Sequence, residues 1–302
     1  MVRSGGSLCY MREEIKKYLE WKGTYALRAS ESYRIWLEKF LQVCGDKPIS
    51  EYSIADYVKY NKYIERNHSP GSVQYSTIVI KNFFRFYKEQ NVPCIPPSLI
   101  KIPRCISKSH RAVNEDEYKK IIQQIPENDF QTLRDLVIIR LLWDTGMRVS
   151  ELCDLNISQI NKKTNTAVIN TKKNGHQRII VWSDDTQHLL IKYLGIRMEL
   201  DEINNASAIF VSFPNTDRWD LRIKPRTVQR IVRKYVKYAG LKEKITPHSF
   251  RHGWAHVRRD QNAPLAFIQR GLGHLNPLST FIYEQYNDNE FIKHAQNYLS
   301  FV

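Results

Sequence analysis

Residues 166–182 read TAVINTKKNGHQRIIVW. Two runs of alternating β-branched residues, TAVINT and QRIIVW, flank the pair Asn174–Gly175. Asn-Gly in that setting is the strongest short-range sign of a β-hairpin. Around it, apolar residues recur at helical spacing. Downstream, the pattern predicts helices over about 185–200, 225–239, 247–259, 264–271 and 278–286, with a short strand, AIFVSF, at 208–213. Upstream lies the apolar run LRDLVIIRLLWDT (133–145), closed by Gly146. Before it, Asn114 and Glu117 form an N-x-x-E pattern close to a capping box, ahead of EYKKIIQQI. The fold class read from these signals is mainly α with a small β-sheet.

Working outward, the first ~90 residues also read as helices. Ser30 is a candidate N-cap for the run ESYRIWLEKFLQV, which Gly45 stops. Tyr33, Trp36, Leu37 and Phe40 give that helix one buried face. Further helical stretches cover about 52–66 and 71–90, and four amphipathic helices make a compact unit. Residues 91–111, NVPCIPPSLIKIPRCISKSHR, hold Pro93, Pro96, Pro97 and Pro103 and cannot be helical throughout. The same stretch carries Lys101, Arg104, Lys108 and Arg111 with no acid, and reads as a basic linker. The expected organisation is a helical N-terminal domain at 1–92, a linker at 93–111 and a second domain at 112–302.

Composition narrows the function classes. The 302 residues carry 46 Lys+Arg against 31 Asp+Glu, a formal net charge of +15. Residues 1–110 hold 18 basic and 10 acidic side chains, and residues 111–302 hold 28 and 21, so both halves are basic. That is the footprint of a protein gripping a polyanion with two parts, although charge alone also fits a merely basic protein. No run of about 18 apolar residues exists, so no membrane span is expected. The start lacks an apolar core with a cleavage site, so secretion is not expected. Cys9, Cys44, Cys94, Cys105 and Cys153 form no CxxC pair. Such a set suits a reducing cytoplasm and argues against structural zinc.

Four segments of the second half each put a polar residue in a special place. In TGMRVSEL (145–152), Arg148 follows a helix-ending glycine. It either pairs with an acid such as Glu151 or points into a cleft to hold an anion. In TKKNGHQR (171–178), Lys172 and Lys173 lie beside the hairpin turn, either solvated or able to swing over a substrate. In ITPHSFRHGWAH (245–256), Thr246 is a good N-cap and Pro247 a good first helical residue. His248 and Arg251, three apart, then share one face at a helix N-terminus, a place suited to phosphate or simply to capping. In GLGHLNPLSTFIYEQY (271–286), the glycines end a helix and let His274 approach closely, and Tyr283 sits in a short, mostly apolar helix. Taken alone, that tyrosine is as readily a packing residue.

In this order the segments resemble the tyrosine recombinase family, the phage integrases and Xer recombinases, over nearly the whole chain. The resemblance implies a helical core-binding domain, an α+β catalytic domain and a C-terminal tail. By position, Arg148 matches the first family arginine and Glu151 the acid after it. His248 and Arg251 match the H-x-x-R pair, His274 the His/Trp position and Tyr283 the nucleophile. The hairpin lysine is Lys173 by the usual spacing, or Lys172 if the turn is one residue longer. Arg258, Arg259 and Asp260 stand where that helix is often apolar, and Glu284 and Gln285 replace the usual Thr-His.

The implied reaction is transesterification at a DNA phosphodiester, with a 3′-phosphotyrosyl intermediate and a free 5′-hydroxyl. Tyrosine, with an ordinary pKa of about 10, needs a base or a positive field to attack. Arg148 and Arg251 would clamp the phosphate oxygens, His248 would accept the tyrosine proton, Lys173 would protonate the leaving oxygen, and His274 would bond a non-bridging oxygen. No cofactor and no metal is expected, and no Walker-type loop is present. Arg226, Arg230, Arg233 and Lys237 fall on one arc of a helix, with Val228, Ile231, Val232 and Tyr235 elsewhere around it. Lys81, Arg85 and Lys88 make a similar stripe in the N-terminal half. Either stripe can track a DNA backbone or be a solvated face. The expected partner is double-stranded DNA, gripped by a homo- or hetero-tetramer on paired sites. The tail FIKHAQNYLSFV (291–302) packs on its own domain or, as the family implies, on a neighbouring protomer. Rival readings are a non-catalytic DNA-binding protein on this scaffold, which would be expected to lose catalytic positions, and a DNA-relaxing type IB topoisomerase.

Overall fold

The computed structural model describes residues 10–105, 111–170, 177–199, 207–212, 222–242, 244–274 and 278–281. The chain divides into two compact units, Met1–Lys108 and Ser109–Val302.

The first unit is built on α1 (Met11–Cys44), α2 (Ile54–Asn67) and α3 (Pro70–Glu89). Ala26 breaks α1 with φ −148° and ψ 59°, and the two halves fold back on each other. Met11 N donates to Lys47 O at 3.0 Å, and the buried Ser30 hydroxyl donates to Leu19 O at 2.9 Å. Four helical pieces result, as the periodicity predicts. Ser30 is not an N-cap, however. The helix restarts just past Ala26, so Ser30 lies inside it and its hydroxyl ties the two halves together. Gly45 ends α1 at φ 82°, where a side chain would be strained. Ser53 and Asp56 cap α2 reciprocally, and Ser69 with Pro70 opens α3. Tyr18, Phe40, Phe83 and Phe84 are fully or nearly fully buried and meet edge to face. Within the stretch read as a linker, Ile95 and Ile100 are buried in this core, and Pro103 O accepts from Gln74 Nε2. The prolines keep the stretch from being helical throughout, leaving one short 3-10 helix at Pro97–Leu99, but apolar residues around them still find a core to enter.

The second unit orders α4 (Glu115–Ile122), α5 (Phe130–Thr145), α6 (Val149–Asp154), β1 (Ile160–Asn161), β2 (Thr166–Asn170), β3 (Gln177–Val181), α7 (Asp184–Glu199), α8 (Pro225–Tyr238), α9 (Pro247–Asp260), α10 (Leu265–Leu272) and α11 (Leu278–Phe281). Asn114 and Glu117 form the expected capping box on α4. Ten of the sixteen α5 residues are buried, which makes it the central helix that its all-round apolar sequence requires. The three strands form an antiparallel sheet in the order β1-β2-β3. Asn170 stands opposite Gln177 and Ile169 opposite Arg178. A two-residue turn at Asn174–Gly175 would instead set Asn170 opposite Ile179, so the strands pair two residues out of the register that Asn-Gly implies. The turn itself lies outside the described residues. The stretch expected as a strand at 208–213 makes only two isolated bridges, Asn156 to Ala208 and Val211 to Arg222, over the described 208–212. Its Ile209 and Phe210 are core residues in irregular backbone.

Candidate active site

Three tight turns of the second unit meet around one imidazole. The first joins α5 to α6. Gly146 takes the left-handed conformation, φ 58°, and a Cβ there would stand 3.0 Å from the Trp254 ring. Only glycine fits both demands. Arg148 follows in extended backbone as the N-cap residue of α6. Its N donates to Glu151 Oε2 at 2.7 Å and its Nη1 to Glu151 Oε1 at 2.9 Å. The sequence allows either pairing with Glu151 or service to an anion. The pairing is present, yet the Arg148 side chain keeps 39% of its surface exposed while Glu151 keeps 3%.

The second turn opens α9. Thr246 caps the helix with Ser249, and Pro247 takes the first helical position. His248 is exposed and meets the buried His252 edge to face, ring centroids 4.5 Å apart. Arg251 is 2% exposed. Its Nη1 donates to Gly146 O at 2.9 Å and its Nη2 to Leu272 O at 2.6 Å. One guanidinium thus ties the turn before Arg148 to the turn before His274.

The third turn ends α10. Gly273 has φ 63°, and a Cβ at Gly271 would drive into the Trp254 indole. His274 N donates to Gln269 O at 3.0 Å, and its Nδ1 lies 2.8 Å from the buried Thr280 hydroxyl. Burial, and then the positive fields of Arg251, Arg148, Arg178 and His248, lower the His274 pKa to about 4. Those four side chains come from α9, the α5–α6 turn and β3, and all of them act on one half-buried ring. His274 is therefore neutral at pH 7.

Arg178 is the residue that sequence reading missed. It lies in β3 with 5% of its side chain exposed and makes a two-pronged pair with Glu151, Nη1 to Oε1 at 3.0 Å and Nη2 to Oε2 at 2.8 Å. Desolvation alone would raise the Glu151 pKa. The Arg178 hydrogen bonds and charge, with those of Arg148, outweigh it and hold that carboxyl below its ordinary value. Strand alternation carried the signal: Arg178 shares its parity with Ile180 and Trp182, both buried, whereas Ile179 and Val181 are exposed.

Lys172, Lys173, Tyr283, Glu284, Gln285 and the tail 291–302 lie outside the described residues. On α8, Arg226, Arg230, Arg233 and Lys237 are exposed, while Val228, Ile231, Val232 and Tyr235 are buried. Arg233 and Lys237 also line a cavity of about 640 Å³ with Thr246 and Pro247, at the start of the His248 helix. In the first unit Arg85 and Lys88 are exposed, whereas Lys81 donates its Nζ to Ile100 O at 2.9 Å.

Comparison with known proteins bears on the family and the fold. Residues 111–290 match the Phage integrase family. Tyrosine recombinase XerA of Pyrococcus horikoshii is 31% identical over 273 residues, spanning 90% of this chain and 87% of that one. A crystal structure of XerA recombinase superposes with a TM-score of 0.54 at 26% identity, covering 95% of this chain and 98% of that one. A lambda integrase tetramer bound to a Holliday junction shares the fold, with a TM-score of 0.70 at 18% identity over 89% of this chain and 78% of that one.

Proposed function

The chain belongs to the phage integrase family and is a Xer-like tyrosine recombinase, and on that premise we propose that Tyr283 is the nucleophile of its site-specific DNA cleavage and rejoining. The Tyr283 oxygen attacks phosphorus, the 5′-oxygen leaves, and a 3′-phosphotyrosyl link holds the strand until a second 5′-hydroxyl reverses the step. Bond exchange conserves the ester, so the chain has to supply charge and proton placement rather than energy.

Arg148 and Arg251 receive the negative oxygens. Both sit on braced turns, so their donors are aimed before DNA arrives. His248, exposed at the N-terminus of α9, takes the phenol proton. Lys173, or Lys172, gives a proton to the leaving oxygen. Neutral His274 has its Nδ1 against the Thr280 hydroxyl, and the tautomer in which that hydroxyl donates is the one that keeps a hydrogen on Nε2 for a non-bridging oxygen. The observation that carries this reading is the buried Arg251 guanidinium, which ties the turn before Arg148 (Gly146 O) to the turn before His274 (Leu272 O), with His248 one helical turn before Arg251.

Double-stranded DNA lies along the exposed cations of α8, and Arg85 and Lys88 of the first unit follow its backbone, while Lys81 is half-buried and bonded to Ile100 O. The working assembly is a tetramer on paired sites, with residues 289–302 docked on a neighbouring protomer. The cytoplasm is the place of action. A non-catalytic scaffold and a topoisomerase are not favoured by relatives named as recombinases.

The test begins with duplexes selected from a random pool by binding to the full chain. Nicked versions of them, together with sites flanking the gene, are then incubated with protein and denatured in detergent. A covalent protein–DNA adduct with the wild type and none with Tyr283→Phe is the expected result. An adduct that survives the substitution removes Tyr283 from the role.

A further inference from the structure

The recombinase chemistry assigns no task to Arg178, yet its guanidinium is buried at the centre of the site. We propose that Arg178 is a positioning residue for DNA cleavage, setting Arg148 through the shared Glu151 carboxylate and setting His274 by supporting the turn at Gly273. The inference rests on the active-site reading above.

Three observations carry it. Both Glu151 oxygens are shared: Oε1 accepts from Arg148 Nη1 and Arg178 Nη1, and Oε2 accepts from Arg148 N and Arg178 Nη2. The orientation of Arg148 therefore follows the plane of a carboxylate that Arg178 holds from its buried side. Next, Gly273 lies directly on Arg178. A Cβ there would come 2.5 Å from Nη1 and 3.1 Å from Cδ. The backbone of the residue before His274 is in contact with the same guanidinium. Finally, β3 fixes Arg178 itself, because its inward parity and its pairing opposite Ile169 hold the side chain under the turns.

A buried ion pair is poor value as mere stabilisation, since an apolar pair of similar volume often does as well. Its distinctive product is fixed geometry. A planar fork delivers two parallel bonds at a set angle, and a lysine ammonium cannot reproduce them. Arg178→Lys keeps the charge and loses the fork, so it separates field from position.

The experiment uses the full chain and a nicked duplex selected for binding. Affinity for the duplex and the single-turnover rate of adduct formation at saturating protein are measured separately. Arg178→Lys is expected to bind within about twofold of wild type and to form adduct at least tenfold more slowly. Because Arg178 acts in part through Arg148, Arg148→Lys with Arg178→Lys should lose less than the product of the two single losses. Gly273→Ala approaches the same guanidinium from the other side. It should also slow adduct formation more than it weakens binding, which keeps the proposal open to test should Arg178→Lys fold poorly. An Arg178→Lys rate within twofold of wild type, or rate losses that multiply fully in the double variant, overturns the positioning role alone. A wild type that forms no adduct on any selected duplex takes the functional reading down with it.

Discussion

Replacing Glu151 with glutamine removes one charge from a point where two guanidiniums and a backbone N–H meet. The carboxylate accepts four bonds, at 2.7, 2.9, 3.0 and 2.8 Å. A glutamine amide keeps one oxygen there and turns an NH2 group towards the other two donors. Two hydrogen bonds involving charged groups are lost, each worth about 1.5–3 kcal/mol. Arg178, with 5% of its side chain exposed, is left as a buried cation without its counter-charge. Breaking a buried pair from one side costs about 3–5 kcal/mol. For a unit of this size the melting temperature should fall by roughly 10 °C. The pH dependence gives a second reading of the same term. Glu151 has a folded pKa below its ordinary value. Its stabilisation is thus complete above the ordinary carboxylate pKa and is lost as pH falls through the lowered folded value. The stability gap between wild type and Glu151→Gln should be full at pH 7 and shrink below about pH 4. Urea titrations of both proteins across that range measure it. A gap under about 1 kcal/mol at pH 7, set against the 3–5 kcal/mol expected of a buried pair, or one that widens on acidification, would refute the hub assigned to Glu151.

Gly271→Ala places a methyl in the Trp254 indole, itself held by Nε1 donating to Asp144 O. Overpacking of that kind costs about 1–3 kcal/mol, and an unchanged thermal melt would show that α10 has room to shift. His274 should titrate near pH 4 in the folded protein. Since the unfolded chain binds that proton more readily, stability attributable to it should hold above about pH 6.5 and decline towards pH 4. A His274 resonance titrating at 6 or above would contradict the burial and field drawn around it. DNA affinity should fall steeply with salt, and removing Arg226, Arg230, Arg233 and Lys237 together should flatten the slope of log affinity against log salt by about 3.6, about 0.9 for each phosphate contact. An unaltered slope would return α8 to being a solvated face.

Local rules reached far in this chain. The helix starts at Asn114 and Thr246 and the stops at Gly45 and Gly146 are capping chemistry, decided within four residues of each end. The amphipathic arc of α8 was legible for the same reason, as its buried and exposed residues sort by a period the sequence states outright. What escaped depended on partners far along the chain. Ser30 has good N-cap chemistry, but the fold-back at Ala26 gives its hydroxyl to Leu19. Asn174–Gly175 has good turn chemistry, but the strands pair two residues away from it. Strand parity marks Arg178 as inward-facing but not as a site residue, because its partner, Glu151, lies 27 residues earlier and its neighbour Gly273 lies 95 later. In the motif H-x-x-R the arginine was legible as a phosphate ligand. Its bonds to Gly146 O and Leu272 O were not, since both acceptors belong to other turns.

Those long-range partners explain why two arginines can be buried so close together. Arg251 joins the carbonyls of Gly146 and Leu272. Arg178, through Glu151, joins Arg148 to the backbone at Gly273. Each guanidinium therefore spans the same pair of turns, one residue or two further along on both sides. Two braces between two turns leave little freedom to rotate or slide, whereas a single brace would act as a pivot. Burial first, and then the fields of these arginines, lower the His274 pKa to about 4. Desolvating two cations is costly, and the return is a pocket whose donors stay aimed in the absence of DNA. That is the condition under which positive charge lowers a barrier rather than merely tightening binding.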